Sequence, residues 1–247
     1  MTTTALITGS GGLPLIDGLP VTDVPLDTPY GAIPGPVRAG ILGEGRLIGL
    51  PRHGEPRRLA PHAVNYRANL WLLKQMGAGR VVATYTVGSI EAELGPGDLV
   101  LPHQVIDYTW GRKHTFDESG DRHVDFTEPF DAGLCRAAAD AAERAGLRIA
   151  VGGVYGCTQG PRLETAAEID RLDRDGCTLV GMTAMPEAAL ARELGLPLLG
   201  VCIVVNPAAG RGPDPARIDL AALERDRAAG LARAEVLVAA LLGLEGS

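Results

Sequence analysis

The strongest constraint on the fold is an uninterrupted apolar run late in the chain. Residues 198–205 read LLGVCIVV, with no polar side chain at any position. A strand with one face in water alternates between apolar and polar residues, whereas a strand covered on both faces stays apolar throughout. The run therefore predicts a central strand in a sheet that has helices packed against both of its faces.

Short apolar runs alternate with helical patterns along the rest of the chain. Strands are expected at 4–8, 46–50, 80–85, 98–102, 149–155, 178–182 and 198–205, and helices at 62–76, 131–144, 164–174, 185–194 and 220–242. This alternation predicts an α/β protein with a mixed, largely parallel central sheet flanked by helices. We expect one domain, 1–247, because the sequence shows no linker and no internal repeat.

Charge and cysteine content narrow the possible partners. The 23 lysines and arginines against 30 acidic residues leave a net charge of −7, which gives no general attraction to nucleic acid or an anionic membrane. The four cysteines form no Cys-x-x-Cys pair and the histidines do not cluster, which argues against a zinc site and a disulfide framework. No run approaches the roughly 18 apolar residues of a membrane span, and no signal segment is evident. We expect a cytoplasmic protein without a metal or a cofactor.

Loops rich in possible anion ligands follow the first two predicted strands. The glycine turn from Gly9 to Gly12 could cradle an anion with backbone N–H groups, or it could be a plain connector. Arg52 offers a guanidinium fork suited to phosphate oxygens with His53 beside it, although an arginine at a strand end is commonly a surface ion pair. A dinucleotide loop is excluded, since Pro14 stands where the last glycine of Gly-x-Gly-x-x-Gly would be.

Several segments, at matching spacing, carry a family resemblance. They are Arg52-His53-Gly54, Val64 to Trp71, Gly160 to Thr165, Gly181 to Glu187 and Val205 to Gly210. With them the chain resembles the purine nucleoside phosphorylase and methylthioadenosine phosphorylase family and, within it, the bacterial methylthioinosine phosphorylase branch. The resemblance implies the nucleoside phosphorylase-like fold, a homotrimer with sites at subunit boundaries, and cleavage of a purine nucleoside with inorganic phosphate as co-substrate.

The resemblance also implies roles for individual residues. Those that would hold phosphate are Ser10, Arg52, His53, the backbone at Thr86, and Thr183. Those given catalytic roles are Asn206, Glu164 and His53. Those that would contact the nucleoside are Leu163 at the base, Met182 at the ribose, Ala208, and His123, lent by a neighbouring subunit to the ribose 5′ group.

Glu164 and Asn206 are the pair that suits a 6-oxopurine. Hypoxanthine presents an N1–H that the Glu164 carboxylate can accept, and the Asn206 amide can donate to O6 or N7. Adenine presents an unprotonated N1 instead. The pair favours a 6-oxopurine, and the resemblance to the methylthioinosine phosphorylase branch implies 5′-methylthioinosine as the leading substrate, with inosine and guanosine as further candidates. Without the resemblance, Glu164 would equally suit the first turn of a helix and Asn206 a loop before Pro207.

Three positions depart from the family pattern and keep other hypotheses open. Tyr85 and Thr86 stand where relatives usually have Asn or Thr followed by Ala, and Arg57 stands where they commonly have histidine. A bulky ring near the phosphate or base pocket would alter it. One alternative is a phosphorylase for another 5′-modified nucleoside, including an adenosine-type one such as methylthioadenosine. The other is a catalytically weakened binding protein on the same fold, which the joint retention of the phosphate and base residues argues against.

Overall fold

The computed structural model describes residues 2–24, 27–55 and 59–244. Its strands are β1 (Thr3–Thr8), β2 (Val21–Thr22), β3 (Asp27–Thr28), β4 (Gly31–Ala32), β5 (Val37–Leu42), β6 (Gly45–Pro51), β7 (Arg80–Ser89), β8 (Leu99–Leu101), β9 (Gln104–Asp107), β10 (Ala150–Val151), β11 (Val154–Cys157), β12 (Leu179–Gly181) and β13 (Leu198–Pro207). Its helices are α1 (Pro14–Asp17), α2 (Tyr66–Gln75), α3 (Ala132–Arg144), α4 (Ala166–Arg174), α5 (Glu187–Glu193) and α6 (Leu220–Leu241), with a 3-10 turn at Pro61–Ala63.

Four adjacent parallel strands form the centre of the main sheet, in the order β13-β7-β1-β6. Beyond β6 the sheet continues with antiparallel β5 and β2, and beyond β13 with antiparallel β8, which carries β10 parallel to itself. A branch leaves β7, where β12 pairs antiparallel and is followed by parallel β11 and β9. The predicted α/β class with a mixed, largely parallel sheet is confirmed.

Side chains of the central strands point alternately into two helical layers. Ala5 and Ile7 of β1 pack in the cluster that contains Leu70 of α2 and Leu190 of α5. Leu6, between them, packs on the other face in the cluster that contains Leu237 of α6. Both faces are covered, and residues 198–205 of β13 are buried at every position. This double burial is the physical reason for the apolar run.

Local signals shift two of the predicted boundaries. The helix predicted over 62–76 begins at Tyr66, because the Asn65 side chain caps it by accepting a hydrogen bond from the Ala68 N–H. The strand predicted over 149–155 is two strands, β10 and β11. They are separated by Gly152 and Gly153, whose φ angles of 109° and 105° favour glycine and interrupt the extended backbone.

The strands β7 and β13 run further than predicted, and this places two site residues inside the sheet. β7 ends at Ser89 and β13 at Pro207, so Thr86 and Asn206 belong to strands rather than to loops. The pairing of β13 with β7 shifts register between Val204 and Asn206. Such bulges re-aim side chains and are common next to active sites.

The stretch 110–125 contains no helix or strand, as predicted for a long polar loop. Sequence patterns did not predict α1, the strands β2 to β5 or β9. Most of these elements have two to four residues, whereas β5 has six, and β3 pairs with β4 in a separate two-stranded sheet. Across 2–24, 27–55 and 59–244, no helix is long and apolar enough to cross a membrane.

Candidate active site

A cavity of about 250 Å³ lies where β1, β6, β7, β12 and β13 end. All of the predicted site residues except His123 line it. They are Ser10, Arg52, His53, Thr86, Leu163, Glu164, Met182, Thr183, Asn206 and Ala208. These residues come from segments spread over most of the chain, namely the turns after β1 and β6, the strands β7 and β13, and the segments that follow β11, β12 and β13.

The turns after β1 and β6 carry Ser10 and His53 to the cavity. The Gly9 N–H donates to the Thr84 hydroxyl (3.2 Å), and the Arg52 N–H donates to the Thr8 carbonyl (2.9 Å), so the two turns are held against neighbouring strands. His53 Nδ1 lies 2.8 Å from the Leu59 carbonyl oxygen. Because a carbonyl only accepts, this contact assigns the proton of a neutral His53 ring to Nδ1.

Arg52 is fully buried and forms a bidentate ion pair. Its Nε and Nη2 both donate to the Glu187 carboxylate at 2.8 Å, and Nη1 donates to the Thr84 carbonyl at 3.0 Å. A guanidinium has five N–H groups, and these bonds use three of them, so one remains on each terminal nitrogen. Burial disfavours the charged form, but the adjacent Glu187 carboxylate outweighs it and raises the pKa of Arg52.

This ion pair changes the expected role of Arg52. Sequence reasoning assigned its fork to phosphate, whereas in the structure the fork is occupied by Glu187. Glu187 follows the cis peptide between Met185 and Pro186 at the start of α5 and is completely buried. A signal for it was present, because Glu187 lies beside the apolar residues Ala188, Leu190 and Ala191 of α5, and a carboxylate buried among apolar residues requires a partner. Arg52 still lines the cavity.

Tyr85 is part of the same buried cluster and does not line the cavity. Its hydroxyl donates to Glu187 Oε1 at 2.8 Å, and the Arg52 guanidinium carbon lies 4.8 Å from its ring centre. Burial, and then the Glu187 charge, raise the pKa of Tyr85, which keeps the hydroxyl protonated as a donor. The ring does not enter the cavity, because alternation along β7 turns Tyr85 into the core and Thr86 towards the cavity.

One wall of the cavity is built by the segment between β11 and α4. Glu164 lies before the N-cap of α4, and its Oε1 is 2.5 Å from the Thr158 hydroxyl. The helix terminus is completed by other residues, since Thr165 and Glu168 form a capping box. Glu164 is therefore not needed as a first-turn acid, which removes the simplest alternative to a ligand-binding role.

Gly160 and Asn206 show how closely the backbone and side chains approach here. Gly160 has φ of +62°, and a Cβ on it would lie 2.6 Å from the Met182 sulfur, so the close approach requires glycine. Asn206 Nδ2 donates to the carbonyl of Pro207 at 2.5 Å. One amide N–H and Oδ1 remain for a ligand.

Arg112 is a functional candidate that sequence reasoning missed. It comes from the long loop, and its guanidinium donates to the carbonyls of Met182 (2.9 Å), Met185 (2.5 Å) and Gln159 (2.9 Å). These carbonyls belong to the two segments that carry Met182 and Glu164 to the cavity. An arginine inside a long polar loop has no local pattern that would reveal such partners.

His123 is the predicted site residue that the structure does not bring to the others. It is exposed, and neighbouring parts of its loop are fixed to α5, where the Arg122 Nη2 donates to the Glu193 carbonyl and Arg192 Nε donates to the Asp125 carbonyl. His123 does not line the cavity of its own chain. Arg57, the other residue singled out as a departure, lies outside the described residues.

No cluster of three or more histidine, cysteine, aspartate or glutamate residues that could hold a metal ion occurs in the part of the chain that the structure describes. The four cysteines are unpaired; Cys157, Cys177 and Cys202 are buried, and Cys135 is partly buried. Burial raises the pKa of Cys157 to about 12 and that of Cys135 to about 11. The thiols are thus poor nucleophiles near neutral pH.

Comparison with known proteins identifies the family. The Phosphorylase superfamily matches residues 3–242. A protein of Pseudomonas syringae pv. tomato named "Probable S-methyl-5'-thioinosine phosphorylase" is 46% identical over 246 residues, covering 98% of this chain and 99% of the relative. A protein of the same name from Xanthomonas campestris pv. campestris is 52% identical over 211 residues, covering 84% of each. The solved methylthioadenosine phosphorylase from Schistosoma mansoni, in complex with adenine, has a TM-score of 0.90 at 27% identity, covering 99% of this chain and 92% of that one. The resemblance carried by the short segments is confirmed, and the chain belongs to the phosphorylase superfamily.

Proposed function

We propose that the protein uses inorganic phosphate to split a 6-oxopurine nucleoside, with 5′-methylthioinosine as the leading substrate. One observation carries the proposal: a single cavity combines anion-binding groups with a carboxylate suited to the purine edge. Ser10, Arg52 and His53 follow β1 and β6, while Glu164 follows β11. The names of the Pseudomonas and Xanthomonas relatives support the same substrate.

The reaction needs an oriented phosphate rather than a nucleophile on the protein. A phosphate oxygen bonds to C1′ while the C1′–N9 bond breaks, and the bond electrons leave with the purine. The purine gains one proton, which balances the proton that hydrogen phosphate loses on becoming the ester. The products are the free base and a ribose 1-phosphate, here 5-methylthioribose 1-phosphate. Holding phosphate under C1′ turns a bimolecular encounter into an oriented attack.

Neutral donors supply much of the proposed phosphate site. Because Glu187 offsets the charge of Arg52, the two remaining guanidinium N–H groups work alongside the hydroxyls of Ser10 and Thr183, the backbone at Thr86 and the His53 ring. Donors fixed in advance stabilise a developing anionic centre without reorganising. Phosphate would therefore be recognised by the positions of these hydrogen-bond donors more than by a net positive charge in the site.

Glu164 and Asn206 take the purine in the proposed complex. The Glu164 carboxylate accepts the N1–H of hypoxanthine, and the Asn206 amide donates to N7 as negative charge builds on the leaving base. Adenine would place a lone pair against the carboxylate, and buried acceptors left unpaired are what make polar pockets reject close analogues. Leu163 and Met182 contribute apolar surface, with Ala208 beside them.

We also propose a homotrimer in the cytoplasm. The exposed His123 has no role within its own cavity, and the partner subunit's His123 would complete the ribose 5′ pocket. Exposed Trp110 and Leu163 are suited to a subunit contact, since large apolar side chains at a surface commonly mark interfaces. Four unpaired cysteines fit a reducing compartment.

The test is base release from inosine, 5′-methylthioinosine, adenosine and 5′-methylthioadenosine, each with and without phosphate. We expect release only with phosphate, together with a sugar 1-phosphate. A charge-assisted hydrogen bond worth about 1.5–3 kcal/mol should favour the 6-oxopurines by roughly ten- to a hundredfold. Equal release without phosphate would identify a hydrolase. Equal cleavage of methylthioadenosine would favour the adenosine-type alternative, and no release at all would favour a binding protein.

Ser10→Ala is the cleaner probe of phosphate binding. It removes a hydroxyl that lines the cavity and leaves the buried ion pair intact. We expect a raised KM for phosphate and an unchanged ratio between 6-oxopurine and 6-aminopurine substrates. Arg52→Ala should weaken phosphate use more strongly, but it also strands the buried Glu187 carboxylate, so its effect combines binding with stability.

A further inference from the structure

The Thr158 hydroxyl makes a short hydrogen bond with the Glu164 carboxylate. The Thr158 hydroxyl lies 2.5 Å from Glu164 Oε1 and 3.3 Å from the Gly181 carbonyl oxygen. A hydroxyl has one proton, and the shorter distance falls in the range of charge-assisted O–H···O⁻ bonds. The hydroxyl therefore donates its proton to the carboxylate. An ionised carboxylate acts only as an acceptor.

The backbone around Thr158 is fixed from two sides. Its N–H donates to the Gly181 carbonyl at 2.8 Å, which ties it to the end of β12. The carbonyls of Thr158 and Gln159 accept from the Arg112 guanidinium at 3.4 and 2.9 Å. A β-branched side chain also has few rotamers. The hydroxyl is thus held in one place by the sheet and by Arg112.

Glu164 has no comparable support from its own backbone. It lies outside any helix or strand, just before the N-cap of α4, and is only partly buried. A free glutamate in such a segment would sample several rotamers. The Thr158 hydrogen bond fixes one carboxylate oxygen and so defines where the other oxygen points.

We propose that Thr158 is a specificity-determining positioning residue that acts through Glu164. By holding one oxygen of the carboxylate as an acceptor, it presents the second oxygen to the N1–H of a 6-oxopurine. This rests on the proposed function, in which Glu164 meets the purine. Losing the hydroxyl should therefore weaken 6-oxopurine recognition without affecting phosphate.

The experiment compares Thr158→Val, which keeps the side-chain shape and removes the donor, with Thr158→Ser, which restores it. Binding of hypoxanthine is measured by titration calorimetry, and kcat/KM is measured for 5′-methylthioinosine. We expect Thr158→Val to weaken both by roughly tenfold or more, and Thr158→Ser to recover most of the loss. The KM for phosphate should stay unchanged in both variants. Thr158→Ala is a second donor-free variant if the valine protein folds poorly.

Thr109→Val is the matched control. The Thr109 hydroxyl is buried and has no hydrogen-bond partner among the described residues, so the same substitution there removes no bond. A double-mutant cycle with Glu164→Gln isolates the coupling. We expect Thr158→Val to have little further effect on hypoxanthine binding in the Glu164→Gln background.

The possible results distinguish a failure of the Thr158 role from a failure of the proposed function. The inference is overturned if Thr158→Val leaves hypoxanthine affinity as little changed as Thr109→Val does. It is also overturned if Thr158→Val lowers that affinity as much in the Glu164→Gln background as in wild type, because Thr158 then does not act through the carboxylate. If wild-type protein does not bind hypoxanthine, it is overturned as well. If wild-type protein cleaves 5′-methylthioadenosine as well as 5′-methylthioinosine while the cycle still shows coupling, the proposed substrate preference fails and the positioning role stands.

Discussion

Replacing Glu187 with glutamine should both destabilise the fold and weaken phosphate binding. The carboxylate is completely buried, accepts two hydrogen bonds from Arg52 at 2.8 Å and one from the Tyr85 hydroxyl at 2.8 Å. Glutamine keeps the shape but removes the charge and turns an N–H₂ group towards donors. The buried guanidinium is then left without a counter-charge.

The expected loss of unfolding free energy follows from the burial of both Arg52 and Glu187. Removing one member of a buried ion pair costs about 3–5 kcal/mol of unfolding free energy. For a chain of this size that corresponds to a fall of roughly 6–20 °C in the unfolding midpoint. Urea denaturation at a fixed protein concentration gives the free energy, and initial rates at varied phosphate give the KM. We expect the KM for phosphate to rise, because Arg52, which lines the cavity, loses the carboxylate that fixes the orientation of its guanidinium.

Glu193→Gln provides the matched control at the other end of the same helix. Glu193 is also buried, but its carboxylate accepts from the Phe116 N–H and the Thr115 hydroxyl, which are neutral donors. We expect a smaller loss of stability and an unchanged phosphate KM. The reasoning is refuted if Glu187→Gln unfolds at the same urea concentration as Glu193→Gln and retains the wild-type phosphate KM.

Three further outcomes test separate parts of the structure. At pH 8 the native thiols should react slowly with a disulfide reagent, since burial raises the pKa of Cys135 to about 11 and that of Cys157 to about 12; a rapidly reacting native thiol would contradict this. His123→Ala should change the preference between methylthioinosine and inosine more than the base preference, and an equal change in both would argue against a place near the 5′ group. Hydrogen bonds from Arg162 and from the helix N-terminus lower the pKa of Glu168 from 4.5 to about 2. Its stabilising effect should therefore be present above pH 4.5 and disappear as the pH falls towards 2, so Glu168→Gln should be less stable than wild type at pH 6 and converge with it in acid.

The features predictable from the sequence are those fixed by a local pattern. The run at 198–205 required burial on both faces, and the structure provides it, since alternate residues of β13 pack into the two helical layers. The order of strands and loops likewise brought Ser10, Glu164 and Asn206 to one cavity. Periodicity and turn chemistry determine the apolar run and the order of the elements within a few residues, whereas the roles of the cavity residues were implied by the family resemblance.

The contacts that refine the site depend on residues far apart in the chain. Arg52 and Glu187 are separated by 135 positions, and nothing local to Arg52 distinguishes an inward carboxylate from an incoming phosphate as its partner. The sequence shows that residue 85 is a tyrosine, which suggested a ring close to the pocket, but it does not show on which face of the strand that ring lies. In β7 the direction follows from register, and a one-residue difference separates the core from the cavity.

Arg112 links the two hydrogen-bond networks that hold the site. It binds the Met185 carbonyl directly before the helix that carries Glu187, and the Gln159 carbonyl in the segment that carries Glu164. It also belongs to the loop that, in the proposed trimer, presents His123 to a neighbouring subunit. A displacement of this loop would therefore alter phosphate anchoring and base recognition together. A substitution confined to the Arg52–Glu187 network should instead affect phosphate alone, and one confined to the Thr158–Glu164 network should affect the nucleoside alone. Sites without shared partners contribute independently.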